Sequence, residues 1–183
     1  TDTASLDAIQ EKFDGIVHCA AYVADKDPDR LHAVNVAGTE NICRLSLRLG
    51  IGRMVYLSSV AVVSGNDQLP LTEDLPYRAT NLYGESKIEA EKKVLEYRAK
   101  GLRTAILRPP MVYGEGEPHL TRLIMRLLRA RLLCLPDQGR ARWHVSYVRH
   151  VAEAARLALH DDRFLEGSFF TADREVLTCA EIF

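Results

Sequence analysis

Short apolar runs alternate along the chain with longer segments in which apolar residues recur at helical spacing. The runs cover Ile16 to Ala21, Met54 to Leu57 and Leu102 to Leu107. Uninterrupted apolar runs are typical of parallel strands that are buried on both faces. The segments from Pro28 to Leu49 and from Asn81 to about Lys100 separate the runs and predict helices. This alternation of strand and helix predicts an α/β fold with a doubly wound parallel sheet.

Turn residues mark where the predicted helices end. Gly50 and Gly101 stand just beyond the two long helical segments, at positions where a helix C-terminus favours glycine. Ser5 to Phe13 also has helical spacing. Val60 to Thr80 contains Pro, Gly and Asp and predicts a long loop, which in a compact domain is usually functional.

The regular alternation stops after residue 110. A helix is predicted from Val151 to His160, short strands are predicted at Val145 to Val148 and Ser168 to Thr171, and His119 to Leu128 is amphipathic. We therefore expect two parts: most of an α/β domain in residues 1–110, and part of a smaller lobe in residues 111–183.

Composition and charge restrict the partners. The chain has 183 residues, of which 47% are hydrophobic, and this is enough for a sizeable core. Lys and Arg (24) nearly balance Asp and Glu (25), so no long-range field favours nucleic acid or an anionic membrane. No apolar run is long enough to span a bilayer. A small-molecule partner is expected, and neither nucleic acid nor a membrane span is.

The four cysteines lie far apart in apolar runs, at Cys19, Cys43, Cys134 and Cys179. They form no C-x-x-C pair and have no partner histidine at metal-ligand spacing. We interpret them as reduced core thiols, which favours a cytoplasmic location, and we expect no metal site.

Tyr83 and Lys87 form a candidate acid-base pair. Residues four apart on a helix share a face, so the ammonium of Lys87 is expected to lower the pKa of the Tyr83 phenol by favouring its charged form. A phenol ordinarily titrates near ~10, too high for acid-base work at neutral pH. The Y-x-x-x-K spacing alone is a weak signal, because both residue types are common on helix surfaces.

Four motifs in one order strengthen that interpretation. They are His18-Cys19-Ala20-Ala21, Ser58-Ser59 after the second apolar run, Tyr83-Gly84-Glu85-Ser86-Lys87, and Arg108-Pro109-Pro110-Met111-Val112-Tyr113-Gly114. Together they resemble the extended short-chain dehydrogenase/reductases, which include NAD(P)-dependent epimerases and dehydratases and 3β-hydroxysteroid dehydrogenases. The resemblance runs from about Asp14 to Phe183. It implies a Rossmann-like NAD(P)-binding domain followed by a substrate-binding lobe.

The resemblance also implies a role for each catalytic candidate. Tyr83 exchanges a proton with the substrate oxygen while hydride moves between a carbinol or carbonyl carbon and the nicotinamide. Ser59 hydrogen-bonds the reacting oxygen, with Ser58 as the second choice. Lys87 binds the nicotinamide ribose. Asn35 steadies a proton relay behind Lys87 through a backbone kink and a water.

The expected cofactor is NAD or NADP, with NAD slightly favoured. The residues implied to contact it are Cys19, Ala20, Ala21, Ser58, Tyr83, Lys87, Pro109, Met111 and Val112. The family's Gly-rich pyrophosphate motif does not occur in this sequence. We therefore expect a βαβ unit before Thr1, so that the chain is an N-terminally truncated, internal portion of a longer enzyme and binds dinucleotide poorly by itself.

The substrate stays open between a nucleotide sugar and a sterol-like alcohol. Trp143 stands near the position where sugar-nucleotide members carry an arginine, and His150 replaces their Asp or Asn. Residues 115–120 look more like 3β-hydroxysteroid dehydrogenases. A non-catalytic dinucleotide-sensing protein is a further alternative, although such proteins usually lose the Tyr or the Lys. An inert truncated product is another, and a homodimer is expected by analogy alone.

Overall fold

The computed structural model describes residues 3–117, 120–132 and 134–182, excluding the side chains of residues 120–123 and 136. In chain order the helices and strands are α1 (Thr3–Asp7), β1 (Ile16–His18), α2 (Pro28–Leu31), a π-helix (His32–Ala37), α3 (Gly38–Leu49), β2 (Met54–Leu57), α4 (Leu82–Arg98), β3 (Thr104–Arg108), β4 (Met111–Tyr113), α5 (Leu120–Arg129), β5 (Arg142–Tyr147), α6 (Val148–His160), β6 (Ser168–Phe170), β7 (Val176–Thr178) and α7 (Cys179–Ile182). Single 3-10 turns occupy Val60–Val62, Pro136–Gly139 and Asp162–Phe164.

The chain forms two compact units. The first consists of Thr1–Arg108 and Ala155–Phe170, and the second of Pro109–Ala154 and Thr171–Phe183. The sequence-based boundary at residue 110 lies close to the first division. It differs in leaving residues 155–170 out of the first unit, which they join because β6 pairs with β3.

A four-stranded parallel sheet with the order β1-β2-β3-β6 forms the first unit. His18 of β1 stands opposite Tyr56 of β2, and Tyr56 stands opposite Ile106 of β3. The predicted α/β class with a parallel Rossmann-like sheet is confirmed. Strand β1 is shorter than its apolar run, since it ends at His18 and not at Ala21, whereas β2 has the bounds of its run.

The core of the first unit packs α3 and α4 against β2 and β3. Its buried members are Cys43, Met54, Tyr56, Ala90, Val94, Tyr97, Leu102 and Ile106. Met54 and Tyr56 alternate along β2 and therefore point to the same side of the sheet. Burial of these apolar groups is the main force that holds α4 on the sheet.

The predicted helix from Pro28 to Leu49 is continuous but contains the π-helix His32–Ala37. Asp27 caps its start by accepting a hydrogen bond from the Arg30 N–H at 3.0 Å. Gly50 ends it with φ 64°, the left-handed conformation that the sequence indicates. The π-helix was not predicted, because hydrophobic periodicity does not distinguish it from an α-helix.

Helix α4 begins at a capped and crowded N-terminus. The Asn81 side chain accepts a hydrogen bond from the Gly84 N–H at 2.8 Å. A Cβ atom at Gly84 would stand 3.0 Å from the Ala61 carbonyl oxygen and 2.8 Å from the Ala79 Cβ. Glycine therefore lets the first turn of α4 approach the segment that follows β2.

A three-stranded sheet with the order β4-β5-β7 forms the second unit, with β4 parallel and β7 antiparallel to β5. Helix α6 begins three residues before the predicted start, at Val148. Strands β4 and β7 have three residues each, too few to show a period in the sequence. His119, the first residue of the predicted amphipathic segment, lies outside the described residues.

Two sequence interpretations need correction. Helix α1 ends at Asp7, so the predicted helix does not continue to Phe13. The cysteines are all unpaired, and Cys43 and Cys179 are buried as predicted, but Cys19 and Cys134 are exposed. An apolar sequence context therefore overestimated the burial of these two thiols. None of the described helices is both long and apolar enough to traverse a lipid bilayer.

Gly50→Ala is expected to lower the free energy of unfolding by about 1 kcal/mol. The cost comes from the backbone alone, since Gly50 has φ 64° and a Cβ there would meet no atom within 4 Å. Gly52→Ala is the matched control, because its Cβ also meets nothing within 4 Å and no positive φ opposes it. Urea unfolding measures both changes, and equal losses at the two positions would contradict the assignment.

Candidate active site

The candidate residues of the first unit gather where its strands end. β1 ends at His18, and β2 ends at Leu57 just before Ser58 and Ser59. The crevice beyond the carboxyl ends of parallel strands is where open α/β sheets bind ligands. The sheet topology therefore brings together residues from three separate sequence motifs.

Ser59 and Tyr83 meet beside the 3-10 turn Val60–Val62. The Ser59 hydroxyl accepts a hydrogen bond from the Ala61 N–H at 3.2 Å and interacts with the Tyr83 phenol. Asp25 fixes the helix end from the other side by accepting the Tyr83 N–H at 3.2 Å. The close approach at Gly84 makes this meeting possible.

The predicted effect of Lys87 on Tyr83 is wrong. The pKa of Tyr83 is raised, mainly because burial disfavours the phenolate, and the hydrogen bond with Ser59 offsets only part of that rise. The phenol therefore keeps its proton at neutral pH. Helical spacing placed the two residues on one face, but it could not reveal how deeply the phenol is buried.

Lys87 is 1% exposed, and its ammonium is held by groups of β2. Its Nζ donates to the Leu57 carbonyl oxygen at 2.6 Å and lies 4.5 Å from the centre of the Tyr56 ring. Burial lowers the pKa of Lys87 to about 8, with Glu91 and then Cys19 opposing the shift. The ammonium thus remains charged at pH 7.

Asn35 lies inside the π-helix and is 1% exposed. Its side chain accepts the Tyr22 N–H at 2.7 Å and donates to the Tyr22 carbonyl at 3.1 Å and the Ser86 hydroxyl at 2.9 Å. The residue therefore ties the segment after β1 to α4. Single π-helical turns are frequent at functional sites. The role of Asn35 in a proton relay stays a prediction.

A buried polar layer of three side chains lies behind these residues. His18 shares a hydrogen bond of 3.1 Å with the Thr39 hydroxyl and stacks on Tyr56 with a centroid distance of 5.6 Å. Burial, followed by the charge of Lys87, lowers the pKa of His18 to about 4. His18 is therefore neutral at pH 7 and acts as a packed core residue.

Sequence reasoning missed a buried ion pair between Glu91 of α4 and Arg108 of β3. Arg108 donates to both carboxylate oxygens of Glu91, from Nε at 3.0 Å and from Nη2 at 2.7 Å. The Tyr77 hydroxyl adds a third hydrogen bond at 2.8 Å. One signal was available, since Glu91 follows Lys87 by four residues and so shares its helix face.

The residues after β1 fit a flat ligand. Cys19 and Ala20 are exposed and Ala21 is half-buried, so small side chains leave the backbone open at the strand end. Ser58 is buried, and among the described residues its Oγ finds no hydrogen-bond partner. Both features suit an expected dinucleotide site.

The remaining predicted cofactor contacts belong to the second unit. Pro109 is buried, whereas Met111 and Val112 are half-buried in β4 and pair with Val145 and Ser146 of β5. Their contact with the nicotinamide stays a prediction.

Asp173 organises a polar cluster in the second unit that the sequence did not indicate. Its carboxylate lies 2.7 Å from His150 Nδ1 and accepts the Tyr113 hydroxyl at 3.0 Å and the Tyr147 N–H at 3.1 Å. The Asp173 carbonyl lies 2.6 Å from His144 Nε2. His150 thus holds a loop carboxylate in place. In the described part of the chain, no group of three or more His, Cys, Asp or Glu side chains could hold a metal ion.

A parallel sheet flanked by helices, with polar side chains gathered beyond its strand ends, defines a Rossmann-like α/β protein. The family model described as NAD dependent epimerase/dehydratase family matches residues 1–169. The chain is 34% identical over 171 residues to the 3 beta-hydroxysteroid dehydrogenase/Delta 5-->4-isomerase of Mycobacterium tuberculosis, covering 86% of this chain and 46% of that protein. The chain therefore belongs to the NAD dependent epimerase/dehydratase family.

Solved structures share the fold. A short-chain dehydrogenase/reductase superfamily protein from Agrobacterium tumefaciens with bound NAD matches with a TM-score of 0.82 and 25% identity, covering 100% of this chain and 66% of that one. The UDP-N-acetylglucosamine 4-epimerase from Methanobrevibacter ruminantium M1, in complex with UDP-N-acetylmuramic acid, matches with a TM-score of 0.86 and 21% identity, covering 100% and 63%. The chain spans about half the length of the curated relatives it matches, for example 46% of the mycobacterial protein.

Lys87→Met in the complete protein is expected to show an extra gain in the free energy of unfolding, relative to the wild type, of about 3 kcal/mol at pH 7 compared with pH 11. The folded-state pKa of Lys87 is about 8, below the ordinary 10.5, so the folded protein bears the full cost of the buried charge below pH 8. The gain should shrink as pH rises from about 8 to about 10.5 and then vanish. Urea unfolding at several pH values measures it.

Lys92→Met is the matched control, because Lys92 is exposed on the same helix. It is expected to change stability by less than about 0.5 kcal/mol at every pH. A gain at Lys87 that did not depend on pH would contradict the assigned cost of the buried charge.

Proposed function

We propose that the protein containing this chain is an NAD-dependent oxidoreductase of the epimerase/dehydratase type that acts at a carbinol or carbonyl carbon. The observation that carries the proposal is the pairing of the Ser59 hydroxyl with the Tyr83 phenol, one helical turn from the buried charge of Lys87. A hydroxyl donor, a phenol and a cation at the ends of parallel strands suit proton exchange with a substrate oxygen.

Four residues of this chain would each have a separate role in the reaction. Tyr83 holds its proton at neutral pH and is therefore ready to donate it to a carbonyl oxygen. In the reverse direction the phenol would first have to lose that proton, so that its phenolate accepts one from the alcohol. Ser59 would hydrogen-bond the same oxygen and share the charge that develops on it. Lys87 would present its positive charge to the ribose hydroxyls. Asn35 would keep the π-helix and α4 in register behind them.

NAD, when bound, supplies the carbon that accepts or returns hydride. Cys19, Ala20 and Ala21 would lie along it, and the buried hydroxyl of Ser58 would be available to a polar group at the strand end. Met111 and Val112 would contact its nicotinamide end. The family and the NAD-bound relative support this cofactor over NADP.

A hydrophobic alcohol is the favoured substrate class. The mycobacterial hydroxysteroid dehydrogenase is 34% identical to this chain, whereas the nucleotide-sugar epimerase is 21% identical and supports only the fold. His150, which replaces an Asp or Asn of sugar-nucleotide members, is engaged with Asp173. A nucleotide sugar is the second candidate, because the epimerase was solved with one.

A homodimer and a cytoplasmic location are parts of the same proposal. The homodimer rests on analogy with the family alone. The exposed thiols of Cys19 and Cys134 favour a reducing compartment. Light scattering of the complete protein tests the dimer.

Tyr83→Phe in the complete protein is expected to lower kcat at least about 10²-fold, because it removes the group that exchanges the proton. NAD affinity, measured by isothermal titration calorimetry, should change little. The assay follows NADH formation with a 3β-hydroxysteroid. With UDP-glucose it follows product formation by chromatography, because an epimerase or dehydratase returns the hydride and releases no net NADH.

Tyr97→Phe is the matched control, since Tyr97 is a buried tyrosine further along α4 whose neighbours belong to the hydrophobic core. It should leave kcat nearly unchanged. Equal turnover in the Tyr83 variant and the wild type would remove the proposed catalytic role. Turnover of UDP-glucose but not of the steroid would reverse the order of the two substrate classes.

A further inference from the structure

The ion pair between Glu91 and Arg108 lies one helical turn beyond Lys87. Glu91 is 0% exposed and Arg108 is 4% exposed. Both carboxylate oxygens of Glu91 are engaged, one by Arg108 and the other by Arg108 together with Tyr77. Three donors therefore hold this carboxylate in one position.

The pair also joins three segments of the first unit. Arg108, at the carboxyl end of β3, donates from Nη1 to the Glu73 carbonyl at 2.8 Å. The Glu73 carboxylate in turn accepts the Phe170 N–H of β6 at 2.9 Å. Glu73 and Tyr77 belong to the loop that follows Ser59. Glu91 thus fixes α4 to the carboxyl end of β3 and to the loop that follows Ser59.

Glu91 supplies the negative charge that the surroundings of Lys87 otherwise lack. The titratable groups that other elements place around Lys87 are His18 and Cys19 at the end of β1 and Tyr56 of β2. Burial lowers the pKa of His18 and raises the pKa values of Cys19 and Tyr56, so all three are neutral at pH 7. On α4 itself, the raised pKa of Tyr83 keeps that phenol neutral too.

Lys87 and Glu91 are buried neighbours on one face of α4. Residues four apart on a helix have Cβ atoms about 5–6 Å apart, and both side chains are buried, where salt screens little. A fully buried lysine without an opposing charge can titrate at about pH 5–6. The pKa of Lys87 stays at about 8, and attraction to the charge of Glu91 is the main interaction that opposes its fall.

We propose that Glu91 is a positioning residue whose carboxylate keeps the Lys87 ammonium protonated and in place within the active site. Arg108 and Tyr77 hold that carboxylate where its charge acts on Lys87. The inference rests on the proposed function, because it assigns Glu91 to the same site. Glu91 would not contact substrate or cofactor and would influence the reaction only through its effect on Lys87.

The test measures the titration of Lys87 in the complete protein labelled with ¹³C-lysine, with Lys87→Arg to assign its NMR signal. Glu91→Gln keeps the shape of the side chain and removes its charge. The pKa of Lys87 is expected to fall by about one to two units. If Lys87 must be charged for turnover, kcat at neutral pH should fall and its pH profile should shift in the same direction.

Two further variants separate charge from structure. Tyr77→Phe removes one hydrogen bond but leaves the carboxylate charged, so the Lys87 titration should not move. Glu91→Gln with Arg108→Gln removes both charges and avoids a lone buried guanidinium, which can cost about 3–5 kcal/mol and prevent folding. The double variant should show a smaller fall of the Lys87 pKa than Glu91→Gln alone, because the positive charge of Arg108 is removed together with the carboxylate.

An unchanged Lys87 titration in a folded variant without the Glu91 carboxylate would overturn the proposal and leave Glu91 a purely structural role. So would a wild-type Lys87 that titrates below about pH 6, the range of an uncompensated buried lysine. The outcome is separate from that of the proposed function. A shifted titration in a protein without oxidoreductase activity would support the counter-charge and reject the enzyme.

Discussion

The structure of the first unit depends on placing one ammonium group inside protein. A buried charge is tolerated only where dipoles and opposite charges replace the water it has lost. Lys87 finds the Leu57 carbonyl and the Tyr56 ring on β2 and the carboxylate of Glu91 on its own helix. The two partners on β2 fix how close α4 lies to the end of that strand. They also fix which turn of the helix faces the strand ends.

The ion pair next to Lys87 also fixes the loop after β2 through hydrogen bonds to Tyr77 and Glu73. Glu91 needs donors of its own, and it takes them from Arg108 on β3 and from Tyr77 in the loop. At the other end of α4, Gly84 permits contact with Ala61 close to the start of that loop. The loop is therefore anchored near both ends of the helical face that carries Tyr83. Ser59 interacts with the Tyr83 phenol near the start of this loop.

Short-range sequence patterns predicted the features that depend on residues close together in the chain. The runs that became β2 and β3, the glycine that ends the helix before β2, and the shared face of Tyr83 and Lys87 all follow from spacing of five residues or fewer. The pKa of Tyr83, the exposure of Cys19 and the partner of Glu91 depend on atoms far away in sequence, and hydrophobic periodicity does not contain them. The order of the four motifs predicted the site because it is shared with a known family. The family's fold brings these distant segments together, and no single segment indicates that.

The place of β6 in the sheet has a consequence for biosynthesis. This strand lies next to β3 in space, yet more than fifty residues and most of the second unit separate the two in sequence. A chain that leaves the ribosome from its N-terminus exposes the open edge of β3 until β6 has been made. Unpaired strand edges recruit other chains, so this interval is when the nascent protein most needs protection from aggregation.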